Sequence, residues 1–340
     1  MTFLVSLHSL IGGNNLSETE MLSAMTQIME GEVKDSQLAA FLTALHVKGE
    51  TVSEIVGAAR VMRAKAEKLD IKTTPLVDTC GTGGDGADTF NISTASALVT
   101  AGAGVNVAKH GNRAVSSRSG SADVLKCLGV NLDADLATVK RCVDEAGIGF
   151  LFAPLMHKAM KHAAGVRKEL GFRTIFNLLG PLTNPANAHS QVLGVFDVKW
   201  VKPLAEVLRD LGCRHSMVVH GFDGLDEISL TGESHVAELK NGRVTCYRIN
   251  PEKLGFKTCC SDDLKGGTPE ENATILKNIL NGEAGPRRDI VVLNSAAAIY
   301  VAGKSDSIES GIQLANISID SGQAREKLEN LCRITNSGTV

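Results

Sequence analysis

From Pro75 onward, short apolar runs alternate with glycine-bearing turns and amphipathic stretches, and this alternation limits the fold more than any other feature of the chain. Leu76-Val77, Val105-Asn106-Val107, Val192-Leu193-Gly194-Val195 and Met217-Val218-Val219 are too short for helices and too apolar for surface loops, so they read as strands. Strands separated by helical stretches build an α/β sheet covered by helices. Residues 236–249 read as a hairpin, with Asn241-Gly242 as its type I′ turn. After about Thr268 the chain is mostly helical. At 340 residues and 43% hydrophobic content, it can bury a core of the size this plan requires.

The first 70 residues have a different texture. Ser17-Glu18-Thr19-Glu20 and Thr51-Val52-Ser53-Glu54 are capping-box patterns ahead of apolar residues at helical spacing, and Gly31 and Gly49 fall where helices end. The formal net charge is -3 with no long run of like charge, which leaves no electrostatic footprint for nucleic acid or membrane and points to a small-molecule ligand. None of the eight cysteines lies in a CxxC pair, so free reduced thiols are expected, including the adjacent Cys259 and Cys260. Residues 1–12 lack the basic start and cleavage site of a signal peptide. Residues 95–108 carry two glycines with Ser, Thr and Asn, and read as a buried helix and strand, not a membrane span.

Chemistry concentrates after the first strand. Thr79-Cys80-Gly81-Thr82-Gly83-Gly84-Asp85 contains three glycines that let backbone amides approach a phosphate, although an ordinary tight turn would use the same residues. It is neither a Walker A loop nor a dinucleotide fingerprint. Asn91-Ile92-Ser93-Thr94 opens an apolar helix, where free amides favour an anion; an Asn or Ser N-cap would account for it equally well. Lys109-His110-Gly111-Asn112-Arg113 follows a strand and is expected in the loop at its carboxyl end, where open α/β sheets bind ligands. The hydroxyl-rich stretch from Ser116 to Asp123 suits a polyphosphate or a solvated loop.

In order and spacing these motifs resemble those of the anthranilate phosphoribosyltransferases of the tryptophan pathway, within the nucleoside phosphorylase-like phosphoribosyltransferases. The match continues through Arg167-Lys168-Glu169-Leu170-Gly171-Phe172-Arg173-Thr174-Ile175-Phe176-Asn177, Leu179-Gly180-Pro181-Leu182-Thr183-Asn184-Pro185, Asp226-Glu227 and Gly266-Gly267-Thr268-Pro269-Glu270-Glu271-Asn272. It implies a small all-helical N-terminal domain, residues 1–72 with a return segment at about 165–185, and a large α/β domain, residues 73–340, whose central sheet is flanked by helices. It also implies a cytoplasmic homodimer joined through the helical domain, acting on anthranilate and 5-phosphoribosyl-1-pyrophosphate with Mg²⁺, two per active site.

Carried over position by position, the resemblance gives the phosphoribosyl donor to Gly81, Gly84, Asp85, Thr89, Asn91, Ile92, Ser93, Thr94, Lys109, His110, Gly111, Asn112, Arg113, Ala114, Val115, Ser116, Ser117 and Ser121. Asn112 and Arg167 are expected on anthranilate, and a guanidinium can bind a carboxylate through two hydrogen bonds. By its residue type alone, Arg167 reads more readily as a surface ion-pair partner. Ser93, Asp226 and Glu227 are the implied metal ligands, all hard oxygen donors of the kind Mg²⁺ prefers. Lys109, His110 and Arg167 are the implied catalytic groups, with His110 open to either a proton-accepting or a hydrogen-bonding role. The family often has proline at the position of Lys158 and an aromatic residue or His at that of Met156, at the mouth of the acceptor channel.

Two other readings share some of these residues. A pyrimidine nucleoside phosphorylase has the same architecture, but its chains carry a further C-terminal domain where this sequence ends about 70 residues after Thr268. A nucleic-acid-binding relative would carry a basic stripe, which this sequence lacks.

Overall fold

The computed structural model describes residues 2–114 and 118–337. Its N-terminal part is four helices, Phe3–Ile11, Glu18–Met29, Asp35–Lys48 and Val52–Lys65. Both expected capping boxes are formed, and Gly49 and Gly31 take positive φ where their helices end. Glu54 does more than cap. Its buried carboxylate also accepts from the Leu16 amide and from Lys48 Nζ, both at 2.9 Å, tying the loop before the second helix to the end of the third. Met21, Met25, Phe41, Leu42 and Ile55 fill the space between the helices. Two helices from far along the chain join this bundle: Lys161–Leu170 packs on the second and third helices, and Phe176–Leu182 on the fourth.

The other layer is a seven-stranded sheet. Its strands are β1 Leu76–Gly81, β2 Asn106–Gly111, β3 Ile148–Phe152, β4 Ser190–Gly194, β5 His215–Gly221, β6 Ser234–Lys240 and β7 Arg243–Ile249. Their order is β3-β2-β1-β4-β5-β6-β7, parallel through β5 and antiparallel from there. The β6–β7 hairpin turns at Asn241 and Gly242, both at positive φ as a type I′ turn requires. β3 is a strand that the sequence patterning missed, because Gly147 and Gly149 break up its apolar run. The basic segment also differs from expectation. Lys109, His110 and Gly111 lie inside β2, not in the loop beyond it, and Lys109 and His110 are buried.

The chain builds the sheet outward from β1 to β3 and then crosses back to lay β4 on the other side of β1. That reversal opens a crevice at the carboxyl ends of β1 and β4, where doubly wound sheets bind ligands. Helices Ile92–Gly102, Pro286–Val301, Ile308–Asp320 and Gln323–Asn336 pack together against the sheet in a second hydrophobic core. All eight cysteines are free, and no described helix is long and apolar enough to cross a membrane.

One polar cluster pins the antiparallel edge of the sheet to its helices. Glu238 on β6 accepts from His215 Nε2 (2.8 Å), Tyr300 Oη (2.8 Å) and Tyr247 Oη (2.9 Å). Burial pushes its carboxyl upward, but the three donors outweigh that and hold it down to about 2, against 4.5 for a free Glu. A depressed carboxyl stabilises the fold above its unfolded value and loses that contribution as pH falls through the folded one. Glu238→Gln should therefore unfold at lower urea concentration than the parent near neutrality, and the difference should close between about pH 4.5 and about 2. A difference independent of pH would contradict this assignment.

Candidate active site

The crevice is shaped first by two glycines. Asp226 lies in the loop after β5, and its backbone passes directly over Gly194 at the end of β4 while its carboxylate lies over Gly81 at the end of β1. A Cβ on Gly194 would overlap the Asp226 backbone, so that strand end must be glycine, whereas a Cβ on Gly81 would displace the Asp226 carboxylate from its place over the turn. The Asp226 carboxylate accepts from the Gly83 amide at 2.8 Å, and its own amide donates to Asp85 Oδ2 at 3.4 Å. The glycine-rich turn is thus held open by the acidic loop facing it. Arg173, between the two later bundle helices, donates to the Gly84 carbonyl and stacks over Phe196 at 4.0 Å, linking the bundle to this turn.

Beneath the turn is a buried charge cluster. Lys109 Nζ donates to the Thr79 carbonyl (2.5 Å) and to Ser93 Oγ (3.2 Å). Burial pushes the Lys109 ammonium's pKa down, opposed by the negative charges of Asp78, Glu227 and Asp226 around it. Glu227 is pushed up to about 8 by burial, with Lys109 pulling it down and Asp85 pushing it further up. Asp226 is raised by burial and then by Asp85 and Glu227. Carboxyl groups crowded in this way favour a bound cation. Asp78, fully buried, accepts from the His110 amide (3.1 Å) and from Asn184 Nδ2 (2.8 Å), which also reaches the Ala108 carbonyl (2.8 Å). These contacts fix the height of β2 against β1, and with it Lys109 and His110.

His110 has both ring nitrogens committed. Its Nδ1 faces the Gly180 carbonyl at 3.1 Å and must donate to it; Nε2 of the neutral ring then accepts from His157 Nε2 at 3.2 Å. Burial, reinforced by the neighbouring His157, lowers His110 to about 3. It is a neutral hydrogen-bonding group in this arrangement, with no free lone pair to take a proton from an acceptor.

Asn91 is the N-cap residue by position. Its side chain makes no cap bond; it donates to the Ser119 carbonyl (3.0 Å) and accepts from Ser119 Oγ (3.2 Å) and Asn272 Nδ2 (3.0 Å). Asn272 in turn accepts from the Gly267 amide at 2.8 Å, which brings the Gly266–Asn272 block against the same crevice. Beyond β2, Asp123 accepts from the Ala114 and Gly120 amides (2.9 and 3.0 Å) and pairs with Arg113, while Ser121 donates to the Asn112 carbonyl. The loop therefore folds back on itself with Asn112 and Arg113 exposed. Val115, Ser116 and Ser117 lie outside the described residues. Ile92 and Thr94 are buried in the first turn of their helix, and Thr89 bridges to Lys265.

Arg167 stands on the Lys161–Leu170 helix with its guanidinium 5.2 Å from the Phe176 ring, and burial lowers its pKa. It makes no ion pair among the described residues, so the surface-pair reading finds no partner. Phe176 begins the helix whose Gly180 carbonyl holds His110, so a single helix links the two groups. Asp78, Asn184, Arg173 and Asn272 gained no role from sequence alone. Asp78 did leave a signal, a carboxylate within an apolar strand run.

Fold and site together define a two-domain glycosyl transferase: the helical bundle domain of that family matches residues 6–66 and its a/b domain matches residues 73–325. An anthranilate phosphoribosyltransferase of Acetivibrio thermocellus is 56% identical over 332 residues, 98% of this chain and 96% of that protein. The crystal structure of the Thermus thermophilus enzyme superposes with a TM-score of 0.93 at 47% identity, covering 98% of this chain and 99% of that one. The Saccharomyces cerevisiae enzyme in complex with PRPP and Mg gives a TM-score of 0.90 at 29% identity, covering 99% and 98%. The chain belongs to the anthranilate phosphoribosyltransferase family, and the resemblance and fold class read from its motifs are borne out.

Proposed function

We propose that this protein transfers the phosphoribosyl group of 5-phosphoribosyl-1-pyrophosphate to the amine of anthranilate, giving N-(5-phosphoribosyl)anthranilate and pyrophosphate, as a step of L-tryptophan biosynthesis. The observation that carries this reading is the switch-point crevice itself. There Lys109, Ser93, Asp226 and Glu227 converge on a glycine-rich turn in which Gly83 and Gly84 take positive φ and Gly81 lies against the Asp226 carboxylate. The yeast relative binds PRPP with Mg.

Among the described residues, no three His, Cys, Asp or Glu side chains converge as a metal cage. Asp226, Glu227 and Ser93 nonetheless fit Mg²⁺, which prefers hard oxygens and is commonly held by one or two carboxylates with substrate phosphates completing its shell. Two Mg²⁺ per active site suit a pyrophosphate donor, and they would supply neutralisation of the charge that develops on the departing pyrophosphate.

The remaining work falls to the chain. The amine nitrogen attacks the anomeric carbon with its own lone pair as the carbon–oxygen bond to pyrophosphate breaks, so positive charge grows on the sugar and negative charge on the leaving group, and the ammonium formed then loses its proton to solvent. Lys109 and the amides of the Gly81–Asp85 turn face that negative charge. Arg167, free of a carboxylate partner, binds the anthranilate carboxylate, and Asn112 orients the ring; alignment matters more here than a strong base, since the amine needs no prior deprotonation. The helical body, residues 1–72 with about 165–185, closes over the donor bound by residues 73–340, and Arg173 on Gly84 is a contact between the two. We also assign a homodimer joined through the helical face, where Leu4, Val5, Ile11 and Val47 are exposed. Free thiols suit a reducing cytoplasm.

The acceptor can be tested by assaying pyrophosphate release from the donor with Mg²⁺ and anthranilate, beside thymine release from thymidine and phosphate. Release of pyrophosphate only when anthranilate is present supports the assignment. Phosphorolysis of thymidine in place of pyrophosphate release would overturn it.

A further inference from the structure

At the opposite end of the strands, where β1, β4 and β5 begin, lies a cavity of about 1050 Å³ that the transfer reaction does not use. It is lined by Leu76, Ser190 and His215 from the strand starts, by residues 68–71 after the fourth helix, and by Asn241 at the hairpin turn. β1 separates it from the active site: Leu76 is in the cavity wall, whereas Gly81 is in the crevice, about 17 Å away at some 3.3 Å per strand residue.

Its charge runs against that of the whole molecule. The chain carries a formal net charge of -3, yet Arg63, Lys68, Arg214 and Lys240 line this cavity with Asp70 as the one carboxylate among the lining residues. Arg63 is accounted for by the fold, since it donates to the Leu182 and Leu211 carbonyls at the ends of two helices (2.7 and 3.2 Å). The other cations are not. Lys68 and Arg214 have neither an ion pair nor a side-chain hydrogen bond among the described residues, and Lys240 Nζ donates to Tyr300 Oη and lies over its ring. Leu69, Leu76, Ala186 and Ala302, all buried, form the apolar part of the wall with Ile71, and Thr73, Thr74, Asn187 and His189 complete it.

We propose that this cavity is a second binding site, for a small organic anion with an apolar body. Lys68 and Arg214 hold its charged group, and the Leu69–Leu76 wall takes the rest. The volume is that of a site for a compact organic molecule, and a concave, largely apolar wall with a few convergent charges is the usual construction of one. Asn184 also lines the cavity while donating to Asp78, so an occupant would sit one hydrogen bond from the contact that positions β2.

The probe is 8-anilinonaphthalene-1-sulfonate, an aromatic sulfonate whose fluorescence rises in an apolar site, titrated into the full chain with donor and Mg²⁺ saturating to keep the crevice filled. Saturable enhancement should persist under these conditions. The Lys68→Ala/Arg214→Ala variant should weaken dye affinity at least about tenfold, because it removes two charge-assisted contacts, while transfer activity stays within about twofold of the parent, both residues lying outside the site. Lys68→Arg/Arg214→Lys should restore binding. Displacement of the dye by the donor, equal affinity in parent and Ala variant, or no enhancement at all would each overturn the proposal.

Discussion

Asp226→Asn combined with Glu227→Gln should reduce transfer at saturating donor on the order of 10³-fold while leaving the protein folded. The fold survives because the carboxamide oxygen introduced by Asp226→Asn can still accept from the Gly83 amide, and Gly81 and Gly194 still fit beneath the same backbone. The loss is in charge. The two carboxyls share the crevice with Asp85, and burial together with that like charge raises both of them, a cost that a bound cation would offset. Amides relieve the cost and forfeit the cation. Turnover measured against Mg²⁺ concentration, with circular dichroism on the same samples, separates the two effects. An unfolded variant would say nothing about catalysis, so Asp226→Asn alone serves as the milder version, with a loss on the order of 10²-fold expected.

Lys109→Met should be nearly as damaging to activity and much more damaging to stability. The ammonium is 3% exposed and is the cation facing Asp78 across β1 and β2. Without it, Asp78 keeps its bonds from Asn184 and the His110 amide but loses its counter-charge, and the Thr79 carbonyl loses a donor. Leaving the buried Thr79 carbonyl without its donor costs about 1–3 kcal/mol, and the lost counter-charge adds to it. Transfer should fall on the order of 10³-fold, since a positive charge beside the departing pyrophosphate goes as well. Adding Asp78→Asn to Lys109→Met removes the stranded carboxylate. Urea unfolding should then recover part of the lost stability, while turnover stays at the level of the single variant. Recovery of both would mean that Lys109 serves the fold alone.

Which parts of this could be read from the sequence follows the range of the interactions involved. The capping boxes at Ser17 and Thr51 and the Asn241-Gly242 turn involve residues within three or four positions of one another, and each formed where its pattern stood. Lys109 and His110 were placed in a loop because charge after an apolar run usually marks a strand's end. They belong to β2 because Asp78, Thr79 and Gly180, remote in sequence, supply partners that make burial tolerable. β3 was hidden by its glycines, one of which, Gly149, is needed because a Cβ there would press on Val143. Gly194 likewise carries no local sign that the Asp226 backbone will cross it. Asp226 and Glu227 were visible through the family pattern alone, since an acidic pair in a loop has no distinguishing sequence neighbours.

Transfer can be read directly from the fluorescence of anthranilate followed after adding 5-phosphoribosyl-1-pyrophosphate, with Mg²⁺ and then with EDTA. Loss of fluorescence with matching release of pyrophosphate is expected when Mg²⁺ is present, stopped by EDTA and by the Asp226→Asn/Glu227→Gln substitution. Stable anthranilate fluorescence in the presence of a folded protein that binds the donor would contradict it.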